Sequence, residues 1–258
     1  MCSVIPFNKN VSLPYADEIN CFIKEIREKL ENNLISIYLA GSYARGEATP
    51  KSDIDIWCFL NEADTVSLKK VANIIQALPI NYKDLELNVQ CLTVTELYNK
   101  DYYNSFSLLH SYFEGVLLFG KEIIKKPTVE QCVVSFQNLI TQVIMSIRHY
   151  ITVSEPQEKL ANGKLHNWVL KPLSFEMRIE RYISTELYPV TRQDLINSYK
   201  NSEYSKIVDW MFDAELLKEE LNKNKDYVID FLHSKTVKLQ NEINDKKEGN
   251  IWLMMHLI

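Results

Sequence analysis

Over roughly the first 125 residues the apolar positions switch between a helical and a strand period. Ile19, Phe22, Ile23, Ile26 and Leu30 recur on one helix face, which predicts an amphipathic helix over residues 15–30, ended by Asn32-Asn33. The run Leu34-Ile35-Ser36-Ile37-Tyr38-Leu39-Ala40 then reads as a strand, and so does Ile54-Asp55-Ile56-Trp57-Cys58-Phe59-Leu60. A helix fits residues 65–77. Residues 84–93 alternate cleanly, with Leu85, Leu87, Val89 and Cys91 on one side and Asp84, Glu86, Asn88 and Gln90 on the other, the pattern of a strand with one apolar face. Residues 106–121 read as a helix, a glycine turn at Gly115 and a short strand.

After Lys125-Lys126-Pro127 the period becomes helical and stays so. Thr128 and Gln131 form a capping box ahead of a stripe of Val129, Cys132, Val133, Phe136, Ile140, Val143, Ile144, Ile147 and Ile151, about six turns of helix. Residues 154–165 read as a loop. A second helix is expected from Pro172 to Tyr188, with Phe175, Ile179, Ile183 and Leu187 four apart and Pro189 as its stop. Further helices fit 191–199, 203–222 and 224–246. The expected class is α+β: an N-terminal domain over residues 1–125, with a mixed sheet and flanking helices, followed by a helical bundle over 126–258.

The candidate chemistry sits between the first two strands, in Gly41-Ser-Tyr-Ala-Arg-Gly-Glu-Ala-Thr-Pro-Lys-Ser-Asp-Ile-Asp55. Gly41 and Ser42 open a short helical segment directly after a strand, where free backbone N–H groups favour an anion such as phosphate. Asp53 and Asp55 stand two apart, so in a strand both carboxylates share a face while Ile54 and Ile56 point into a core. Like charges so placed repel, and become sensible when they share divalent cations. A phosphate cradle beside two carboxylates describes a nucleoside triphosphate site. Arg45, one turn on, points to the same anion or pairs with Glu47.

These motifs, the Gly-Ser turn after a strand and Ser-Asp-Ile-Asp at the next, resemble the signature of the DNA polymerase β-like nucleotidyltransferase superfamily. The dense form here is most similar to its small bacterial members, the antibiotic nucleotidyltransferases of the kanamycin and streptomycin type and the minimal nucleotidyltransferases of toxin–antitoxin pairs. The resemblance implies a polymerase β-like catalytic domain and a third carboxylate on a later strand. Glu86, flanked by leucines, is favoured for it over Asp84. It further implies two Mg²⁺ ions held by Asp53, Asp55 and Glu86, ATP as donor, and Gly41, Ser42 and Arg45 at the nucleotide. The reaction implied is transfer of a nucleoside monophosphate to a hydroxyl of a small, aminoglycoside-like molecule with release of pyrophosphate. The alternative is an antitoxin-type enzyme that adenylylates or binds a partner protein.

The resemblance also assigns the bundle to the acceptor-binding side of the cleft. Arg148, His149, Lys171, Arg178 and Arg181 are candidates to reach the triphosphate, each weighed equally against a solvated face or an ion pair within the bundle. The first bundle helix carries no glutamate matching the general base of the kanamycin type. No arginine of the second half is followed four to six residues later by histidine, which argues against a fused toxin ribonuclease. His110, in an apolar stretch, reads as a packing histidine ahead of a catalytic one.

Charge narrows the partners. The formal net charge is −5, and residues 1–120 hold ten Lys and Arg against fifteen Asp and Glu, while the remainder is balanced. A basic track for a nucleic-acid backbone is missing, so nucleic acid is not expected as acceptor. No apolar run reaches the roughly 18 residues of a membrane span. The start MCSVIPFNKN has no signal-peptide core, and the five cysteines have no zinc spacing; reduced thiols in the cytoplasm are the simple expectation. The apolar octet Ile251–Ile258 needs cover, either from the bundle, which is favoured, or from a second subunit.

Overall fold

The computed structural model describes residues 16–49, 52–78, 87–99 and 106–255. The chain divides into two compact units, Met1–Pro127 and Thr128–Ile258.

The first unit is built on a four-stranded mixed sheet. Helix α1 (Ala16–Leu30) precedes β1 (Leu34–Ala40), the single-turn helix α2 (Gly41–Arg45) and β2 (Ile54–Leu60). Helix α3 (Thr65–Ala77), β3 (Leu87–Thr93), α4 (Val94–Tyr98), α5 (Phe106–Glu114) and β4 (Val116–Gly120) complete it. The sheet order is β3-β2-β1-β4; β1 runs antiparallel to β2 and β4, and β2 runs parallel to β3.

Strand alternation sorts the side chains into two cores. Ile37, Leu39, Ile54, Ile56, Cys58 and Leu60 share one with Ile19, Phe22, Ile23 and Ile26 of α1 and Val71 and Ile74 of α3. Tyr38, Trp57, Phe59, Leu92, Leu97 and Ile124 form the other, on the opposite face. Asp64 starts α3 by accepting the Ser67 N–H, and Gly46, with φ +72°, ends α2 in the left-handed region that glycine enters without steric cost.

The second unit is helical. Helix α6 (Val129–Thr152) starts with the expected capping box of Thr128 and Gln131. Its stripe from Cys132 to Ile147 is buried, but Val129 and Ile151 are exposed, because they lie in the helix's end turns. The expected loop at 154–165 is in part helical: a turn at Gln157–Lys159 leads into π-helical segments Leu160–Lys164 and His166–Leu170, with a kink where Asn162 and Gly163 leave helical geometry, Gly163 at φ +93°. Leu160, Leu165, Val169 and Leu170 are buried, a core stripe hidden among polar neighbours.

Helix α7 (Lys171–Thr185) ends three residues before Tyr188, its expected last residue, where Glu186 takes φ +60° and donates its N–H to the Tyr182 carbonyl. Of the expected stripe Ile179 is fully buried, but Leu187 is 75% exposed, and the buried face also carries Leu173, Glu176, Met177, Arg178, Glu180 and Tyr182. Helix α8 (Arg192–Tyr199) follows. The helix expected over 203–222 divides into α9 (Ser205–Phe212) and α10 (Ala214–Met255), because Asp213 is extended and its carboxylate caps the Leu216 N–H. Asn224 interrupts α10 at the boundary expected between the last two helices. Helix α6 packs against α7 and α10. No helix among the described residues is long and apolar enough to cross a membrane. The side chains of the apolar octet lie outside the described residues.

Candidate active site

Strand register assembles the site. Asp55, second residue of β2, pairs with Ala40 of β1 on one side and with Asn88 of β3 on the other. The next residue after Ala40 is Gly41, so the turn into α2 begins beside the Asp55 carboxylate. Gly41 has φ +67°, and a Cβ there would lie 2.2 Å from Asp55 Oδ2. A side chain there would sit on a strained backbone and push the Asp55 carboxylate aside. From the other side, the Asn88 side-chain amide donates to Asp55 Oδ1 at 2.9 Å. The carboxylate is thus held between a glycine Cα and an amide while remaining partly open to solvent.

Asp53 lies just before β2 and is also partly exposed. The approach to it is shaped by Thr49 and Ser52: the Ser52 N–H donates to the Thr49 carbonyl at 2.9 Å, and the Thr49 N–H donates to the Ser52 hydroxyl at 2.9 Å. Ser42, second residue of α2, is partly exposed beside Gly41. Asp84 and Glu86 lie outside the described residues.

Arg45 is tied down. Its Nε donates to Glu47 at 3.0 Å and its Nη1 to Glu114 at 2.7 Å, and its side chain and that of Glu114 are nearly enclosed. The pairing with Glu47 read from the sequence is present, and Glu114, 69 residues away in sequence, adds a second carboxylate. Burial alone would lower the guanidinium pKa, but Glu114 and then Glu47 outweigh it and raise it. The pair fastens α2 to α5. Sequence reasoning missed Glu114 because nothing in a helical apolar segment marks which distant charge it will meet.

Asp53 and Asp55 offer the hard oxygen donors that Mg²⁺ takes, and the glycine opposite them leaves room for close approach, so the residues present fit such an ion. Among the described residues no group of three or more His, Cys, Asp or Glu is gathered for a metal.

Elsewhere in this unit His110 is buried, as a packing histidine would be. In the bundle, Arg178 is buried and donates to the carbonyls of Pro189, Val190 and Thr191, holding the segment after α7. Arg148 donates to His233 at 3.1 Å, and Arg181 lies 5.3 Å from the Tyr199 ring centroid. A groove of about 490 Å³ on the bundle is lined by Gln142, Met145, Ser146, His149, Tyr150, Lys164 and Trp168. Met145 is 63% and Trp168 64% exposed there.

Residues 19–106 match the model of the family described as nucleotidyltransferase domain, and this stretch of the chain is a nucleotidyltransferase domain. The turn, the strand pair and the Asp53–Asp55 segment all fall inside it. No curated protein matches the chain. Among solved structures, the chain is similar to spectinomycin adenyltransferase AAD(9) from Enterococcus faecialis with ATP and spectinomycin, at 15% identity and a TM-score of 0.49, over 88% of this chain and 98% of that one.

Proposed function

We propose that the protein is an enzyme that moves a nucleoside monophosphate, AMP from ATP, onto a hydroxyl of a small-molecule acceptor with release of pyrophosphate. The observation that carries this reading is Asp55, fixed between Gly41 and Asn88 at the mouth of a glycine-serine turn. A stability role does not call for a partly exposed carboxylate set against a glycine of positive φ.

Gly41 lets the backbone approach the triphosphate, and the Ser42 N–H and hydroxyl hold its β- or γ-phosphate. Arg45, fixed by Glu47 and Glu114, keeps this turn in place behind the anion. Asn88 orients the Asp55 carboxylate. Glu86 completes the carboxylate set and takes the acceptor's proton. Mg²⁺, held by Asp53, Asp55 and Glu86, would neutralise triphosphate charge and lower the pKa of the acceptor hydroxyl. The bundle binds the acceptor, and its groove, with the exposed faces of Trp168 and Met145, is a surface suited to a ring-bearing molecule.

The test is incubation with labelled ATP, Mg²⁺ and a panel of aminoglycosides, lincosamides and helical bacterial proteins, read by mass gain of the acceptor. A small molecule heavier by one nucleoside monophosphate supports the reading. Label found only on a protein replaces it with a protein-modifying enzyme, and no transfer to any acceptor with intact ATP binding overturns it. Glu86→Gln lowering the rate far more than Asp84→Asn supports Glu86 as third carboxylate; the reverse ranking transfers the role to Asp84.

A further inference from the structure

Cys58 of β2 and Cys91 of β3 are partners in the parallel register, so both side chains lie on the same sheet face. Neighbouring strands place paired Cα atoms about 4.8 Å apart, inside the range of roughly 4.4–6.8 Å that a disulfide spans. Both cysteines are free, with no disulfide between them. Their exposure differs: Cys58 is fully buried in the helix-side core, whereas Cys91, on an edge strand, is partly open to solvent. None of the chemistry proposed for the nucleotide uses either residue.

We propose that Cys91 is an oxidation site for peroxides and that Cys58 resolves it into an intramolecular disulfide joining β2 to β3. Accessibility decides the order of events, because a peroxide reaches the edge-strand sulfur and not the core one. The neighbouring Cys58 thiol holds the Cys91 thiol below its usual range, which favours the nucleophilic thiolate, while Cys58 is held well above it by Cys91 and by burial.

The Cys91 thiolate attacks one peroxide oxygen, the O–O bond breaks, and a sulfenic acid and hydroxide form. The Cys58 sulfur then attacks the Cys91 sulfur. The S–O bond breaks, and the hydroxyl leaves as water with the Cys58 proton. In sum two thiols lose two electrons, hydrogen peroxide gains them, and two waters result. The bond, partly open to solvent at the edge strand, is readily reduced again.

The experiment treats the full-length native protein with hydrogen peroxide, quenches free thiols by alkylation, and maps peptides by mass spectrometry without reductant. The expected product is one linked peptide pair holding Cys58 and Cys91, lost on addition of dithiothreitol. Cys58→Ser should leave a sulfenic acid on Cys91 that dimedone captures, and Cys91→Ser should leave Cys58 unoxidised. Should Cys58→Ser fail to fold, Cys58→Ala, which keeps the site apolar, takes its place. Overturning results are a link from either residue to Cys21 or to a second copy, oxidation of Cys58 in Cys91→Ser, or both thiols alkylated as freely as in untreated protein.

Discussion

The two units treat their carboxylates in opposite ways. In the sheet unit Asp53 and Asp55 keep access to solvent, and Asp55 is gripped by an amide on one side and crowded by a glycine on the other. In the bundle Glu176 of α7 is 0% exposed, and neither of its oxygens has a hydrogen-bond partner among the described residues. Burial pushes its pKa well above the ordinary value, so the group is held as the neutral acid. The contrast separates two uses of acidity. A carboxylate meant to meet a ligand is kept oriented and open. A carboxylate buried without partners contributes nothing by its charge and costs stability whenever it ionises.

The largest effect expected from this contrast is on turnover. Asp53→Asn and Asp55→Asn should each cut pyrophosphate release by orders of magnitude while leaving the thermal midpoint in Mg²⁺-free buffer equal or higher, since like-charge repulsion is removed. Near-normal transfer in either variant, or loss of the fold, would defeat the assignment of these groups to the ligand.

Second comes the close approach at Gly41. Gly41→Val puts a Cβ within 2.2 Å of Asp55 Oδ2 at a backbone φ of +67°. It should weaken Mg·ATP binding strongly and lower stability as well. Ser42→Ala should cost about 1–2 kcal/mol of ATP binding, the scale of a hydrogen bond to a charged group, with AMP binding little changed. Calorimetric titration of both nucleotides separates these outcomes; equal losses for AMP and ATP in Ser42→Ala would move Ser42 away from the terminal phosphates.

The Arg45–Glu114 pair is the buried charge that the sheet unit does satisfy. Arg45→Met leaves Glu114 without its guanidinium and should destabilise the protein by about 3–5 kcal/mol in urea unfolding. A loss below about 1 kcal/mol would mean that water reaches the pair and that it does not anchor α2.

Glu176→Gln is the mirror experiment. A Glu whose folded pKa is raised binds its proton more tightly in the native state, so stability is fully present below the ordinary pKa of 4.5 and falls as pH rises toward the folded value. The variant removes that fall. Its stability advantage should grow by about 1.4 kcal/mol per pH unit above the ordinary value, until the folded pKa is reached. Urea midpoints at pH 5 and pH 8 that differ equally between variant and parent would show that Glu176 is already ionised in the native state.

The smallest effect is expected at Asn88. Asn88→Ala frees Asp55 to rotate without removing its charge, so the Mg²⁺ concentration needed for half-maximal nucleotide binding should rise by about tenfold, the equivalent of roughly 1.4 kcal/mol. An unchanged requirement would show that the Gly41 side alone positions the carboxylate.

Much of this was legible in one dimension, because it depends on neighbours in the chain. Helix α1 and its stripe, α3, the capping box of α6, the strands around Gly41 and Asp55, and the glycine itself follow from periodicity and from local backbone chemistry. The apolar period failed where buried positions carry polar or charged residues. Residues 154–165 read as a loop because polar side chains surround Leu160 and Leu165, and the core face of α7 was only partly anticipated because Glu176, Arg178 and Glu180 lie inside it.

What the sequence by itself determined is the kind of most elements and the presence of a glycine-serine turn ahead of an Asp-x-Asp pair, since each is written in residues close together in the chain. Tertiary structure alone decided which groups meet. Strand register sets Asn88 against Asp55 and Cys91 against Cys58, across 33 residues in each case, and packing brings Glu114 to Arg45 across 69. Such meetings depend on how whole strands slide and helices dock, and a shift of one residue in register would turn the Asn88 amide to the opposite face of the sheet from Asp55.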